Sequence, residues 1–209
     1  VFTPLLIVAV VGYLLGSLPF GYLVARAKGV NIFEVGSKTS GATNVRRVLG
    51  PIPGSIVLYL DIFKGAVATG WPLIRPLENM ANVDVSALMT LGLIGAMLGH
   101  AFSCFTRFRG GKSVATGAGG FVVLFPYGAI VAAVVWGLTV AITRYVSLAS
   151  MLAGVALTGT AVVLHVSTLI VIVCAVVMVF VVVRHRANIS RLFAGTENKI
   201  GQKKMEDAK

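Results

Sequence analysis

The sequence predicts an all-α fold: a polytopic membrane helical bundle of seven transmembrane segments, N-terminus outside and C-terminus cytoplasmic. Three observations predict it. Of the 209 residues, 57% are hydrophobic and only 12% are charged, the profile of an integral membrane protein. Apolar stretches near the roughly 20 residues that a span requires recur along the whole chain. The remaining charges are gathered in short segments between those stretches, and most of them are basic. The chain, 1–209, reads as one integral membrane domain.

Residues 3–25 make the first span, with Pro19 as a kink. It is not a signal peptide, because its basic residues follow it instead of preceding it. Residues 52–74 and 85–105 make the second and third. Residues 113–143 are too long for one span and short for two. Pro126 divides them into a short or partly re-entrant fourth segment and a fifth. Residues 146–183 hold two more, with His165 near the break. Gly12/Gly16 and Gly95/Gly99 are small-xxx-small pairs of the kind that let helices approach closely.

Basic segments set the orientation. Residues 26–50 carry Arg26, Lys28, Lys38, Arg46 and Arg47 against Glu34. The next loop carries Arg75 against Glu78 and Asp84, and the third carries Arg107, Arg109 and Lys112. The tail from Arg184 has seven positive and three negative residues. Seven spans place every basic segment on the cytoplasmic side, whereas six throw the basic tail outside. The net charge of +11 therefore reads as membrane orientation and affinity for anionic substrates, not as a nucleic-acid surface. Cys104 and Cys174 stand in different apolar segments and form no C-x-x-C pair. No His, Asp, Glu or Cys cluster has metal-ligand spacing, so neither metal nor cofactor is expected.

Four polar stretches carry chemistry. In "EVGSKTSGATNVRR", residues 34–47, Ser37, Thr43, Asn44 and Arg47 offer hydroxyls, an amide and a guanidinium. The same stretch also suits an ordinary loop leading into a helix cap. In "GHAFSCFTRFRGGKSVATG", residues 99–117, a Walker A loop fails because Thr106 stands where its first glycine belongs. Simpler physics survives: backbone N–H groups around Gly110 and Gly111, beside Lys112 and Ser113 at a helix start, suit an anion. A positive-inside anchor would explain the charges but not the glycine pair or His100. In "RHRANISRLFAGTEN", residues 184–198, the arginines suit lipid headgroups, but His185, Asn188 and Glu197 are not needed for that. His185 reads equally as an active-site group or an interfacial histidine, and Glu197 as the partner of an arginine. In "LDIFKG", Asp61 and Lys64 lie three apart on one helix face. Intramembrane charges are costly and often functional, though a mutually neutralising pair that fixes packing is the competing reading. Ser147, in "RYVSLAS", lies at another predicted cytoplasmic helix end.

"GSKTSGATNVRR", "LDIFKG", "GHAFSCFTRFRGGKSVAT", "RYVSLAS" and "RHRANISRLFAGTENK", in that order, resemble the bacterial acyl-phosphate:glycerol-3-phosphate acyltransferase family over nearly the whole chain. The family usually has Gly-Asn-Pro at Lys38, Thr39 and Ser40, Pro-Val at Ser103 and Cys104, and Gly at Ser113. The resemblance implies transfer of a fatty acyl group from acyl phosphate to the 1-hydroxyl of sn-glycerol 3-phosphate, the first step of phospholipid synthesis. It implies a bacterial inner-membrane enzyme with a cytoplasm-facing site and transient contact with the soluble enzyme that makes acyl phosphate.

On that reading Ser37, Thr43, Asn44 and Arg47 take the acyl-phosphate head and the developing oxyanion. Gly110, Gly111, Lys112 and Ser113 take the phosphate of glycerol 3-phosphate. His185 and Asn188 orient substrate, with Lys64, His100 and Ser147 as further contacts and Asp61 and Glu197 structural. The proton acceptor is either a histidine, His100 or His185, or a substrate phosphate. The rival class is a transporter of an organic phosphate anion, which would need a polar path through spans that offer almost none.

Overall fold

The structure, a computed structural model, describes residues 2–73 and 84–201. The predicted loop charges Arg75 and Glu78, and the tail beyond residue 201, lie outside the described residues. The described residues form ten α-helices, with two short 3-10 turns and no strand among them. The helices are α1 (Phe2–Ser17), α2 (Phe20–Arg26), α3 (Ala42–Leu49), α4 (Pro51–Gly70), α5 (Val85–Ala101), α6 (Val114–Leu124), α7 (Pro126–Thr143), α8 (Val146–Val163), α9 (Thr168–Arg184) and α10 (Arg186–Phe193).

Local chemistry fixes most of the breaks. Pro19 has no N–H to continue the ladder of α1, so the chain restarts as α2. The helix is interrupted at the predicted kink, though Thr3–Arg26 remains one candidate span, and the Leu18 carbonyl there accepts a hydrogen bond from Lys64 Nζ at 2.9 Å. Proline again opens α4, just inside its start, and α7 at Pro126, where a missing donor costs nothing. Asp84 caps α5 by accepting from the Ser86 amide at 3.0 Å. His165, at φ 50°, turns the chain between α8 and α9.

Five helical segments are long and apolar enough to cross a membrane, or six if α9 and α10, bent by 61° at His185, count as one. By length and composition these segments suit a membrane-spanning bundle. α6, with 11 residues, rises only about 16 Å, half of a hydrocarbon core of roughly 30 Å.

The glycine pairs seen in the sequence serve packing. A Cβ on Gly16 would stand 2.1 Å from the Ala96 carbonyl oxygen, and one on Gly99 would stand 2.2 Å from that of Tyr13. α1 and α5 therefore touch backbone to backbone, the close approach that replaces the hydrophobic drive lipid cannot supply. Met89, Leu93 and Met97 of α5 join Phe121 of α6, Leu157 of α8 and Val173 and Val177 of α9 in the main core. A second cluster, Ala25, Ile32, Phe33, Val45 and Val57, ties α2 and α3 to α4.

Candidate active site

The C-terminal ends of α5, α7 and α9 and the N-terminal ends of α4, α6 and α8 meet at one end of the bundle. They enclose a cleft of about 690 Å3. Its walls change character along its length. One end is lined by Ser37, Thr43, Arg47, Lys112, His185 and Asn188. The other is lined by Phe121, Ala129, Ala132, Trp136, Leu157 and Val177.

The polar end is organised around Glu197. Its Oε1 accepts from Ser147 Oγ at 2.7 Å and Asn188 Nδ2 at 2.6 Å, and its Oε2 accepts from Arg191 Nε at 2.7 Å. Asn188 Oδ1 in turn accepts from Lys112 Nζ at 2.5 Å. The chain Lys112–Asn188–Glu197–Arg191 thus joins the α6 entry to α10. Burial pulls the Glu197 carboxyl upward, but its hydrogen bonds from Asn188, Ser147 and Arg191 outweigh that and hold it below the usual carboxylate range. It is therefore ionised at neutral pH.

Burial lowers the Lys112 ammonium to about 8; Glu197 opposes the shift, and Arg191, Arg47 and Arg184 add to it. Burial also lowers Arg47, with Glu197 partly offsetting. His185 is brought down to about 4, first by burial and then by the charge of Lys112. Its Nδ1 lies 2.8 Å from the Val181 carbonyl. A carbonyl only accepts, so Nδ1 carries the proton and Nε2 a lone pair. Arg47 Nη1 donates to Asn44 Oδ1 at 3.5 Å, and Ser37 Oγ lies 3.1 Å from Thr39 Oγ1.

Several residues expected at the substrate have other work. The Asn44 amide group points to the carbonyls of Ile32, Val35 and Thr39, and its Oδ1 accepts from the Ser37 amide at 2.8 Å. Asn44 borders the cleft, yet its hydrogen-bonding capacity is spent on holding the 32–39 loop. Gly110 and Gly111 do not line the cleft, and the Gly111 N–H donates to the His100 carbonyl at 3.1 Å. The glycine pair is required for packing: a Cβ on Gly110 would stand 2.0 Å from the His100 carbonyl oxygen, and one on Gly111 would stand 2.1 Å from His100 Nε2. Ser113 lines the cleft, but its buried hydroxyl donates to the Met97 carbonyl at 2.6 Å.

Lys64 faces away from the cleft into a water-sized cavity with Ser17, Ser40 and Ser103. There its Nζ lies 2.9 Å from Asp61 Oδ1, which is 3.4 Å from His100 Nδ1. Of this trio, Asp61 and His100 border both cavities. Among the described residues, no group of three His, Cys, Asp or Glu side chains could hold a metal ion.

The departures from the family pattern acquire a backbone reason. Lys38 and Ser113, both standing where the family usually has glycine, have φ of 55° and 62°, the region that favours glycine. Ser103, in place of proline, donates its hydroxyl to the Ser17 carbonyl at 2.6 Å and so ties the end of α1 to the α5 exit. Arg191 was readable as a site residue from its spacing: three residues after Asn188 on α10, it shares the same helix face. The small residues of α7 and α8 that line the apolar end gave no signal beyond membrane packing.

The fold and cleft define a class: an integral membrane protein whose larger described cavity pairs a cationic end with an apolar one. A family model for glycerol-3-phosphate acyltransferase matches residues 6–195, and the chain belongs to that family. A glycerol-3-phosphate acyltransferase of Desulforamulus reducens is 43% identical over 193 residues, covering 92% of this chain and 93% of its own. One from Bacillus subtilis is 40% identical over 192 residues, covering 91% and 95%. The fold is similar to that of PlsY (YgiH), an integral membrane glycerol 3-phosphate acyltransferase, crystallised in a glycerol 3-phosphate form. The TM-score is 0.85 and the identity 34%, covering 94% of this chain and 96% of that one. A lysophosphatidic acid form of PlsY matches with a TM-score of 0.83.

Proposed function

We propose that the protein transfers a fatty acyl group from acyl phosphate to the 1-hydroxyl of sn-glycerol 3-phosphate, giving lysophosphatidate and phosphate. The observation that carries this reading is the two-ended cleft. Both substrates bear phosphate, and one bears a tail. Arg47, Lys112 and Arg191 supply cationic donors at one end, and the other is lined by apolar side chains that suit an alkyl chain. Acyl phosphate, whose leaving group is phosphate alone, suits the compact set of cationic and amide groups at that end.

Acyl phosphate is a mixed anhydride and already activated, so positioning and charge neutralisation suffice. The 1-hydroxyl oxygen bonds to the acyl carbon, and the bond from that carbon to the phosphate oxygen breaks. The electron pair leaves on phosphate. Ser37, Thr43 and Arg47 hold the acyl-phosphate head and the developing oxyanion. Lys112 and Asn188 hold the phosphate of glycerol 3-phosphate, with His185 orienting it. The hydroxyl proton passes to a substrate phosphate oxygen. Two findings favour that acceptor over histidine: the low pKa of His185 makes it a weak base, and the His100 ring has Nε2 against Gly111 and Nδ1 toward Asp61.

The same proposal includes one domain over 1–209 and seven spans, with α6 as the short fourth. The N-terminus lies outside and the site faces the cytoplasm of a bacterial inner membrane, in reach of a soluble enzyme that makes acyl phosphate. Purified protein given palmitoyl phosphate and glycerol 3-phosphate should form lysophosphatidate. Absence of product from folded protein in lipid would end the proposal.

A further inference from the structure

We propose that Arg144 is a positioning residue: it latches the segment from Gly195 to Gly201 across the mouth of the cleft and thereby seats the Glu197 carboxylate. The inference rests on the acyltransferase reading of the cleft, and it adds a residue that lies outside the cleft wall.

Arg144 ends α7 in the left-handed conformation, at φ 62°. It is exposed, yet it makes three hydrogen bonds to a single residue 56 positions away. The Ile200 N–H donates to the Arg144 carbonyl at 2.8 Å. Arg144 Nε and Nη2 both donate to the Ile200 carbonyl, at 3.1 and 2.8 Å. One fork on one carbonyl fixes direction as well as distance. Next to it, Lys199 Nζ sits 5.3 Å from the centre of the Tyr145 ring. The segment's other end is tied to α10, where the Thr196 N–H donates to the Arg191 carbonyl at 2.9 Å.

Glu197 lies between these two ties. Residues 197–201 all border the cleft, so the segment spans from α10 to the α7–α8 turn. Glu197 is the common acceptor for Ser147, Asn188 and Arg191, and Asn188 in turn receives Lys112. Loosening the Ile200 end lets the carboxylate drift and releases the alignment of Asn188 and Lys112. Among the described residues, Ser37 and Thr43, on the α3 side, hydrogen-bond neither Glu197 nor Ile200, and Arg47 feels Glu197 only through its charge. The two substrates should therefore respond differently.

The test uses the full chain in one detergent, as Arg144→Ala, Arg144→Lys and Ile200→Pro; the last removes the segment's own N–H while keeping Arg144. Steady-state rates with palmitoyl phosphate and glycerol 3-phosphate should show the KM for glycerol 3-phosphate raised about tenfold or more in Arg144→Ala and Ile200→Pro. The KM for palmitoyl phosphate should stay within about twofold, and Arg144→Lys should fall between wild type and Arg144→Ala. Trypsin cleavage after Lys199 should be faster in the two unlatched variants. Wild-type kinetics in both, equal changes in both KM values, or an unchanged cleavage rate would overturn the latch. Failure of the wild-type chain to form lysophosphatidate would instead overturn the functional reading, and the cleavage rates would still decide whether Arg144 holds the segment. If Arg144→Ala does not fold, Ile200→Pro carries both readouts.

Discussion

Replacing Lys112 by Ala removes the cation that enters the cleft from the start of α6, and the structure sets the size of the loss. Lys112 Nζ meets one neutral acceptor, Asn188 Oδ1, while burial and three arginines lower its pKa to about 8. An arriving phosphate replaces that neutral partner with a charged one. A charge-assisted contact of this kind is worth about 1.5–3 kcal/mol, or roughly ten- to a hundredfold in affinity. The KM for glycerol 3-phosphate should rise by that factor, with palmitoyl phosphate held saturating. The pH profile gives an independent check. The protonated, phosphate-binding form of Lys112 is present below its pKa of about 8 and is lost above it. Since kcat/KM reports groups of the free enzyme, its value for glycerol 3-phosphate should fall on the alkaline side through that pH. Lys112→Arg, whose charge persists at far higher pH, should move the fall upward, and Lys112→Ala should abolish it. An unchanged KM in folded Lys112→Ala, or an alkaline fall that survives in it, would refute the reasoning.

Lys38→Gly should raise Tm in detergent by relieving an unfavourable left-handed residue worth roughly 1 kcal/mol. Ser113→Gly should be near neutral, because the same relief is offset by losing a hydrogen bond of about 1 kcal/mol to the Met97 carbonyl. Gly65→Val should lower Tm strongly, since a Cβ there would stand 1.9 Å from the Thr116 carbonyl oxygen and force α4 from α6. Single cysteines at Lys28 and Ser167, with Cys104 and Cys174 replaced, should react in intact cells with a membrane-impermeant reagent at 167 and not at 28. The reverse pattern would invert the proposed topology. Palmitoyl-coenzyme A, assayed beside palmitoyl phosphate with carry-over acyl phosphate excluded, should give no turnover, and comparable rates would defeat the donor assignment.

The breaks at Pro19 and Pro126 were legible because proline lacks a donor wherever it stands. Likewise the glycine pairs of α1 and α5 announced close helix contact. Lys112, Asn188 and His185 were readable as one site because predicted helix ends brought their segments to the same side. What a polar side chain turns toward was not readable. Asn44, Lys64 and Ser113 were expected at substrate, but their side chains turn to the carbonyls of Val35, Thr39, Leu18 and Met97. Buried carbonyls need donors, and a sequence does not say which carbonyls a fold will strand. Gly110 and Gly111 resemble a phosphate cradle for the same reason: close approach to His100 and close approach to an anion demand the same residue.

The helices of the bundle are unequally held. α1, α4, α5 and α6 are locked by backbone contacts at glycines, whereas among the described residues of α7 only Gly128 is buried. The fold is a tightly packed slab with a less buried panel beside it. The slab carries Lys112, and the panel lines the apolar end with Ala129, Ala132 and Trp136. On the acyltransferase reading, an acyl tail would rest against the panel and the phosphate against the end of the slab.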